Sequence, residues 1–497
     1  MTSFWLASHP IAATGTPLRP GESAEVCVVG AGLTGLVTAV LLARTGRRVI
    51  LVEARTVGAV TSGNTTAKLS LLQGSVLSEL RGKHSAEVVR AYVESNRAGQ
   101  QWLTAFLGAA GVAVQERTAW SYASGAGGVR RLEQERSAAT AAGLAVTRDD
   151  ATELPFPVAG AIRLDDQVQF HATAVLDALL SDFLDHGGVL HTGCRVQGVS
   201  IDERVEVRTQ GAGLVADHVV LATGTPIVDR GGHFAVLQPQ RSYALAARVP
   251  GVIPQGMYLS IDTPTRSLRT APAGDGSDDE VLLVGGNGHP VGRARDTRRR
   301  VRDLDAWTAR WFPGAEVTHR WSAQDYAPAA GLPVVDVLAG SRGRVLLATG
   351  YHKWGMTNAV ASALRLVSRV DAGQQPDWAP VLDHASRLTG WPAVATFNAE
   401  VGFEATRGWL AAGVRALPQT PPAEGRGEVG RYGARPAGVS TVDGVTCMVS
   451  AVCTHLGGVV TWNEAERSWD CPLHGSRFAA DGTVLEGPAT TALPRLD

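Results

Sequence analysis

Apolar residues along the chain fall into short buried runs and longer helical stripes. Residues 25–29 (Glu-Val-Cys-Val-Val) read as a buried strand, and Leu36–Ala43 reads as a helix. Arg47–Val52 is a second strand ending in Glu53. The runs Val219–Leu221 and Val345–Leu347 have the same strand character, each closing on Ala-Thr-Gly (222–224 and 348–350). A helical pattern begins at Ala359. Residues 70–150 read as mainly helical, with apolar spacing near 3.6 over Val76–Leu107 and glycine-rich turns at 124–128. Residues 151–170 alternate as strands do. His171-Ala172-Thr173 opens a helix to about Asp185, and Val189–Ile201 is strand again. Residues 237–290 carry strands with polar turns, including an exposed loop at Gly274–Asp279. Residues 376–412 read as helical and bridging, and Gln419–Gly425 reads as a linker.

A chain of 497 residues exceeds one ordinary core, so several domains are expected. With 44% hydrophobic and 19% charged residues it has the make-up of a globular protein, and a net charge of −1 argues against nucleic acid or an anionic membrane as partner. No run of eighteen apolar residues and no secretory pattern appears. Five cysteines, of which Cys27, Cys194 and Cys447 lie in strand-like runs, predict a reducing, cytoplasmic setting. The positive residues are almost all Arg, with Lys only at 68, 83 and 353. Lys68 and Lys353 sit inside the glycine-bearing motifs described next. Their retention fits a need for a compact ammonium there, although chance survival accounts for it equally well.

Two constellations carry chemistry. Gly30-Ala31-Gly32-Leu33-Thr34-Gly35 lies between the first strand and the first helix, with an acid, Glu53, at the tip of the second strand. In that context G-x-G-x-x-G predicts a dinucleotide site. Gly30 permits the turn, Gly32 allows the pyrophosphate close, Gly35 lets helix meet strand, and Glu53 accepts from a ribose hydroxyl. The second constellation is Cys453-Thr454-His455 and Cys471-Pro472-Leu473-His474, each followed by glycine. Each half mixes one thiolate with one imidazole. That suits a Rieske [2Fe-2S] cluster, in which two Cys hold one iron and two His the other. Zinc is the competing reading, although its usual spacings group ligands of one kind.

The segment CTHLGG … CPLHGSRF resembles the Rieske fold over about residues 421–497. The respiratory pattern has two further cysteines, joined as a disulfide, where Gly458 and Leu473 stand here, and some high-potential members have Tyr at the place of Phe478. Ser476 is kept as a partner for a sulfur. Fewer hydrogen bonds to the cluster imply a potential below the respiratory range. The fingerprint, the Thr65-Thr66-Ala67-Lys68 segment, Thr223-Gly224 and the Gly350 … Gly355-Met356-Thr357 segment together resemble FAD-dependent oxidoreductases of the glycine oxidase/D-amino-acid oxidase type that carry a C-terminal Rieske domain. One departure is Leu72-Gln73, where that group often has Gln-His.

The resemblance implies an α/β FAD-binding Rossmann-like domain with an inserted antiparallel substrate sheet, over residues 1–375. The substrate segments would be about 151–185 and 237–330. A helical bridge and linker over 376–420 and an all-β Rieske domain over 421–497 would follow. It implies that Gly30, Gly32, Leu33, Thr34, Gly35, Glu53, Thr65, Thr66, Thr223, Gly224, Gly350, Gly355, Met356 and Thr357 bind FAD, with Val196 against its adenine half. His455 and His474 would face outward, toward the flavin or a partner. Lys353 and Asp325 are the catalytic candidates, with Tyr326, His171 and Lys68 as weaker ones. A second G-x-G-x-x-G after a strand is missing around 140–240, which argues against a self-contained NADPH-dependent enzyme. The expected activity is oxidation of a small donor at FAD, an amine or amino-acid-like C–N bond by the resemblance. Electrons would then pass singly through the cluster to an external acceptor. The alternatives are a reductase or monooxygenase fed through the cluster by a ferredoxin, and a non-enzymatic redox carrier or sensor.

Overall fold

The computed structural model describes every residue of the chain except 13, 14, 229, 275, 278, 372, 389, 390 and 497. Residues 275 and 278 of the expected Gly274–Asp279 loop therefore lie outside the described residues.

The fingerprint half is a sheet in the order Val334–Val337, Val345–Thr349, Gly213–Leu221, Glu22–Val29, Val49–Val52, Val189–His191. From Val345–Thr349 to Val189–His191 the pairs are parallel. Near-continuous burial explains why these strands read as unbroken Val/Leu runs. The helix Leu33–Arg44 makes the first crossover and packs against Ala172–Asp185 and Gly355–Val370 on one face. The hairpin of Val196–Ile201 and Val205–Thr209 joins the core on the other face, where Cys27 is buried. His171 caps the Ala172–Asp185 helix and bonds Ser8, Thr173 and Ala174 N–H, away from the cavity described below.

A second, nine-stranded sheet runs Glu316–Pro328, Leu237–Arg248, Glu280–Pro290, Arg266–Pro272, Met257–Ser260, Val114–Ala123, Gly160–Phe170, Lys68–Leu69, with Thr147–Arg148 pairing to Gly160–Phe170 as the ninth strand. Residues 70–150 are mainly helical, as expected, over Val76–Arg81, Ala86–Ala109 and Ala126–Ala141, but they also hold a ten-residue strand that the pattern did not predict, Val114–Ala123, between Met257–Ser260 and Gly160–Phe170. Its polar start hides the alternation, and its aromatic residues Trp120 and Tyr122 pack a buried face formed only across the sheet. The Ala172–Asp185 helix, expected with the substrate segments, packs instead on the fingerprint helix.

The C-terminal part holds two small antiparallel sheets. One comprises Gly427–Tyr432, Arg435–Val442 and Val445–Ser450. The other comprises Thr461–Asn463, Ser468–Asp470, Arg477–Ala479 and Val484–Glu486. Trp469 and Phe478 fill its core, each contributing on the order of 2–3 kcal/mol by burial. The helix Trp391–Val414 packs on the first two of these strands, and Trp409 Nε1 donates to Gly457 O at 3.0 Å. No helix among the described residues is long and apolar enough to cross a membrane.

Candidate active site and cluster centre

A cavity of about 530 Å³ opens at the carboxyl ends of the fingerprint strands. Gly30, Gly32, Leu33, Thr34, Glu53, Thr65, Thr66, Val196, Thr223, Gly224, Gly355 and Met356 all line it. The helix Leu33–Arg44 starts there with Gly32 as its N-cap and no capping side chain of its own, so its positive end faces the cavity. Three residues expected to bind cofactor do not line it. Gly35 lies behind the turn, where a Cβ would come within 1.9 Å of Gly30 O. Gly350 packs on Pro328 and Leu237. Thr357 is buried in a polar cluster with Asn96 and Gln73. Gln73, at the departure from the Gln-His pattern, reaches the cavity and accepts from Tyr92 Oη at 2.7 Å.

Glu53 accepts from Ala31 N–H and Arg55 N–H, both at 2.8 Å. Burial raises its carboxyl, while these bonds and the charges of Arg195 and Arg55 pull it back. Of the catalytic candidates, Lys353, Asp325, Tyr326 and Lys68 line the cavity and His171 does not. The Asp325 carboxylate accepts from Lys353 N–H and so pins a turn in which His352 (φ 47°) and Lys353 (φ 70°) are both left-handed. That turn brings Lys353 Nζ against Gly288 of the antiparallel sheet, within 2.8 Å of where a Cβ there would stand. Burial lowers the Lys353 ammonium, and Asp325 opposes this. Lys68 is buried and donates to Tyr258 O at 2.7 Å and Ser267 Oγ at 2.8 Å. Burial, then the Arg269 charge, pushes it well below its ordinary value.

The two Cys–His segments fold into matching loops. Cys453 N–H donates to Gly458 O and Cys471 N–H to Ser476 O, both at 2.8 Å. Gly457 and Gly475 N–H return to the respective Cys carbonyls. Both glycines are left-handed, at φ 72° and 80°, which explains the glycine four residues after each Cys. The N–H groups of His455 and Leu456 point at Cys453 sulfur, and those of Leu473 and His474 at Cys471 sulfur. A hydrogen bond from Cys471 is the largest influence holding the Cys453 thiol down, to about 7, and the Ser476 hydroxyl adds to it. The rings of His455 and His474 lie 5.2 Å apart, edge to face. Where the respiratory disulfide would run, a Cβ on Gly458 would lie 2.5 Å from Leu473 Cδ1, so an apolar contact fills that space.

The donor set fits a two-iron centre. His474 Nε2 is buried without a hydrogen-bond partner, and burial, with the His455 and Arg293 charges, lowers His474 to about 4. A buried imidazole kept neutral is what ligation requires. Among the described residues no three His, Cys, Asp or Glu side chains converge to hold a single metal ion, as tetrahedral zinc would need.

His474 faces the flavin half, where Phe234 packs edge-on against it at 4.9 Å and against His455 at 5.9 Å. Gln324 Nε2 donates to Tyr326 Oη on the cavity wall and to Gly475 O beside His474, both at 2.9 Å. Around it lies a buried seam. Arg241 bonds Glu466 and Glu486, and Arg477 bonds Glu466, Asp470 and Glu486. Burial works against the Glu466 charge, but Arg241 and Arg477 outweigh it and hold its carboxyl well below the usual range. Sequence reasoning missed Phe234, Gln324 and this seam. Their one visible signal is the Arg and Glu set into otherwise strand-like runs.

The fold and these two sites define a flavin- and iron-sulfur-dependent oxidoreductase. The FAD dependent oxidoreductase family matches residues 25–369 and the Rieske [2Fe-2S] domain family matches 422–497. The chain belongs to the first of these families and carries the second as its C-terminal domain, so FAD and a [2Fe-2S] cluster are its cofactors. It is 29% identical over 487 residues (97% of this chain, 94% of the relative) to YhfW of Bacillus subtilis (strain 168), whose name describes a Rieske 2Fe-2S iron-sulfur protein. It is 56% identical over 45 residues, 9% of this chain and 26% of the relative, to the cytochrome b6-f complex iron-sulfur subunit of Synechococcus sp. (strain JA-3-3Ab). Among solved structures, glycine oxidase from Geobacillus kaustophilus shares the fold at TM-score 0.62 and 19% identity, covering 72% of this chain and 98% of that one. L-proline dehydrogenase from P. horikoshii does so at TM-score 0.60 and 16% identity, covering 72% and 95%.

Proposed function

We propose that the protein oxidises a small donor at FAD, an amine or amino-acid-like C–N bond, and relays the electrons one at a time through the cluster to an external acceptor. The observation that carries this reading is Gln324, whose amide bonds the cavity wall at Tyr326 and the cluster loop at Gly475. A continuous path of covalent and hydrogen bonds thus runs from cavity to His474. FAD supplies hydride acceptance, and the cluster supplies one-electron storage. The chain would hold FAD along Gly30–Thr34, Glu53, Thr65-Thr66, Val196, Thr223-Gly224 and Gly355-Met356, and the cluster on Cys453, His455, Cys471 and His474. Lys353 would present a cation at the substrate end, with Asp325 positioning its turn. The amino-acid chemistry named for the two solved relatives supports the choice of donor. The division into residues 1–375, 376–420 and 421–497 belongs to the same reading, with the matched spans 25–369 and 422–497 in its support.

Anaerobic mixing with a panel of amines and amino acids tests it. The expected result is loss of flavin absorbance followed by cluster reduction. Gln324→Leu should slow the second phase and leave the first unchanged. Inertness to every donor, with reduction by a reduced ferredoxin alone, would overturn the proposed direction in favour of a reductase or monooxygenase.

A further inference from the structure

Part of the flavin cavity belongs to the Rieske domain. Leu485, Glu486, Gly487 and Thr490 line it together with Glu53, Arg55, Cys194, Arg195 and Val196 of the nucleotide half. These residues are held there from the other side. Arg195 Nη2 donates to Val484 O at 3.0 Å, and Arg55 Nη1 lies 3.5 Å from Leu485 O. Gly487 lies beside Ile227, also on the cavity wall, at a distance where a Cβ would make ordinary van der Waals contact with Ile227 Cγ2, at 3.5 Å. Glu486, in the same stretch, is fastened to Arg241 and Arg477.

We propose that Val484–Thr490 is a strap that closes over the adenosine half of the bound dinucleotide, so that the Rieske domain is part of the FAD-binding site. The location follows from Glu53. An acid at the tip of the second strand is where the adenosine ribose sits in this fold, and Arg55 and Arg195 flank it. Leu485 adds apolar cover to that end, and Arg195 serves both faces, its charge toward Glu53 and its N–H toward the strap. FAD enters or leaves only when the strap lifts, and bound FAD and the docked domain stabilise each other by linkage.

FAD dissociation, followed by the fluorescence of released flavin, tests this without reference to donor or electron flow. In the full-length holoprotein Leu485→Ser and Arg195→Met should each speed release roughly tenfold, the scale set by one apolar contact or one hydrogen bond to a bound group. The double variant should fall well short of the product of the two, because both open the same closure. Iron content and the cluster spectrum should stay at wild-type values. A Leu485→Ser protein that keeps its iron and releases FAD at the wild-type rate would overturn the strap. Hydrogen exchange of the wild-type protein gives a reading that needs no variant. Amides over 484–490 should exchange more slowly with FAD bound than after FAD removal, and equal exchange in the two forms overturns the proposal.

Discussion

The proposed cluster ligands all lie within residues 453–474, whereas the cavity draws its lining from positions between Val29 and Thr490. In the first, two short loops with the same backbone bonds fix every donor locally. In the second, both large sheets, several loops and a segment of the Rieske domain must all be in place before the walls exist. A local site fails by losing a ligand. A distributed site fails when the elements behind it shift.

The largest expected effect isolates the local site. Cys471→Ser should abolish cluster incorporation, seen as iron at background, while FAD stays near one per chain. Loss of both cofactors together would show that the cavity depends on the cluster loop itself. Next comes the seam that joins the regions. Glu466→Gln leaves Arg241 and Arg477 buried with less compensation, and should cost roughly 3–5 kcal/mol in denaturant unfolding. A cost under about 1 kcal/mol would mean that the seam does not hold the domains together.

The third test separates the regions by pH. Glu135 is buried and accepts from Leu77 N–H and Ser78 N–H, beside the cavity-lining Ser75, Val76 and Glu79. Burial raises its carboxyl from 4.5 to about 7. The folded form holds this proton more tightly, so the contribution is full below the unfolded value and is lost as pH rises through the folded one. Stability should therefore fall by up to about 3 kcal/mol across that window, and Glu135→Gln should flatten the slope. An unchanged slope would remove Glu135 as its source. The smallest effect concerns the cluster alone. Phe478→Tyr, if the new hydroxyl reaches a sulfur, should raise the cluster potential by on the order of 60 mV in a redox titration, with the flavin unmoved. A wild-type potential already in the respiratory range would contradict the reading of Phe478 and the missing disulfide.

The sequence by itself determined whatever depends on near neighbours in the chain. Gly30–Gly35 with Glu53 and the paired Cys–His loops are legible because turn geometry and ligand chemistry restrict residue type at fixed short spacings. Gly350 shows the limit, since its strand and turn were readable while its packing on Pro328 and Leu237, off the cavity wall, was not. The strand Val114–Ala123 was missed because its register exists only beside Met257–Ser260 and Gly160–Phe170. Tertiary structure decided that Lys353 turns into the cavity through Asp325, that Gln324 joins Tyr326 to Gly475, and that Leu485 and Gly487 complete a wall begun by Glu53. Each of these joins positions far apart in sequence or depends on which way a side chain points once packed. Burial and hydrogen-bond satisfaction across the interface fix them, and no local pattern in the chain records either.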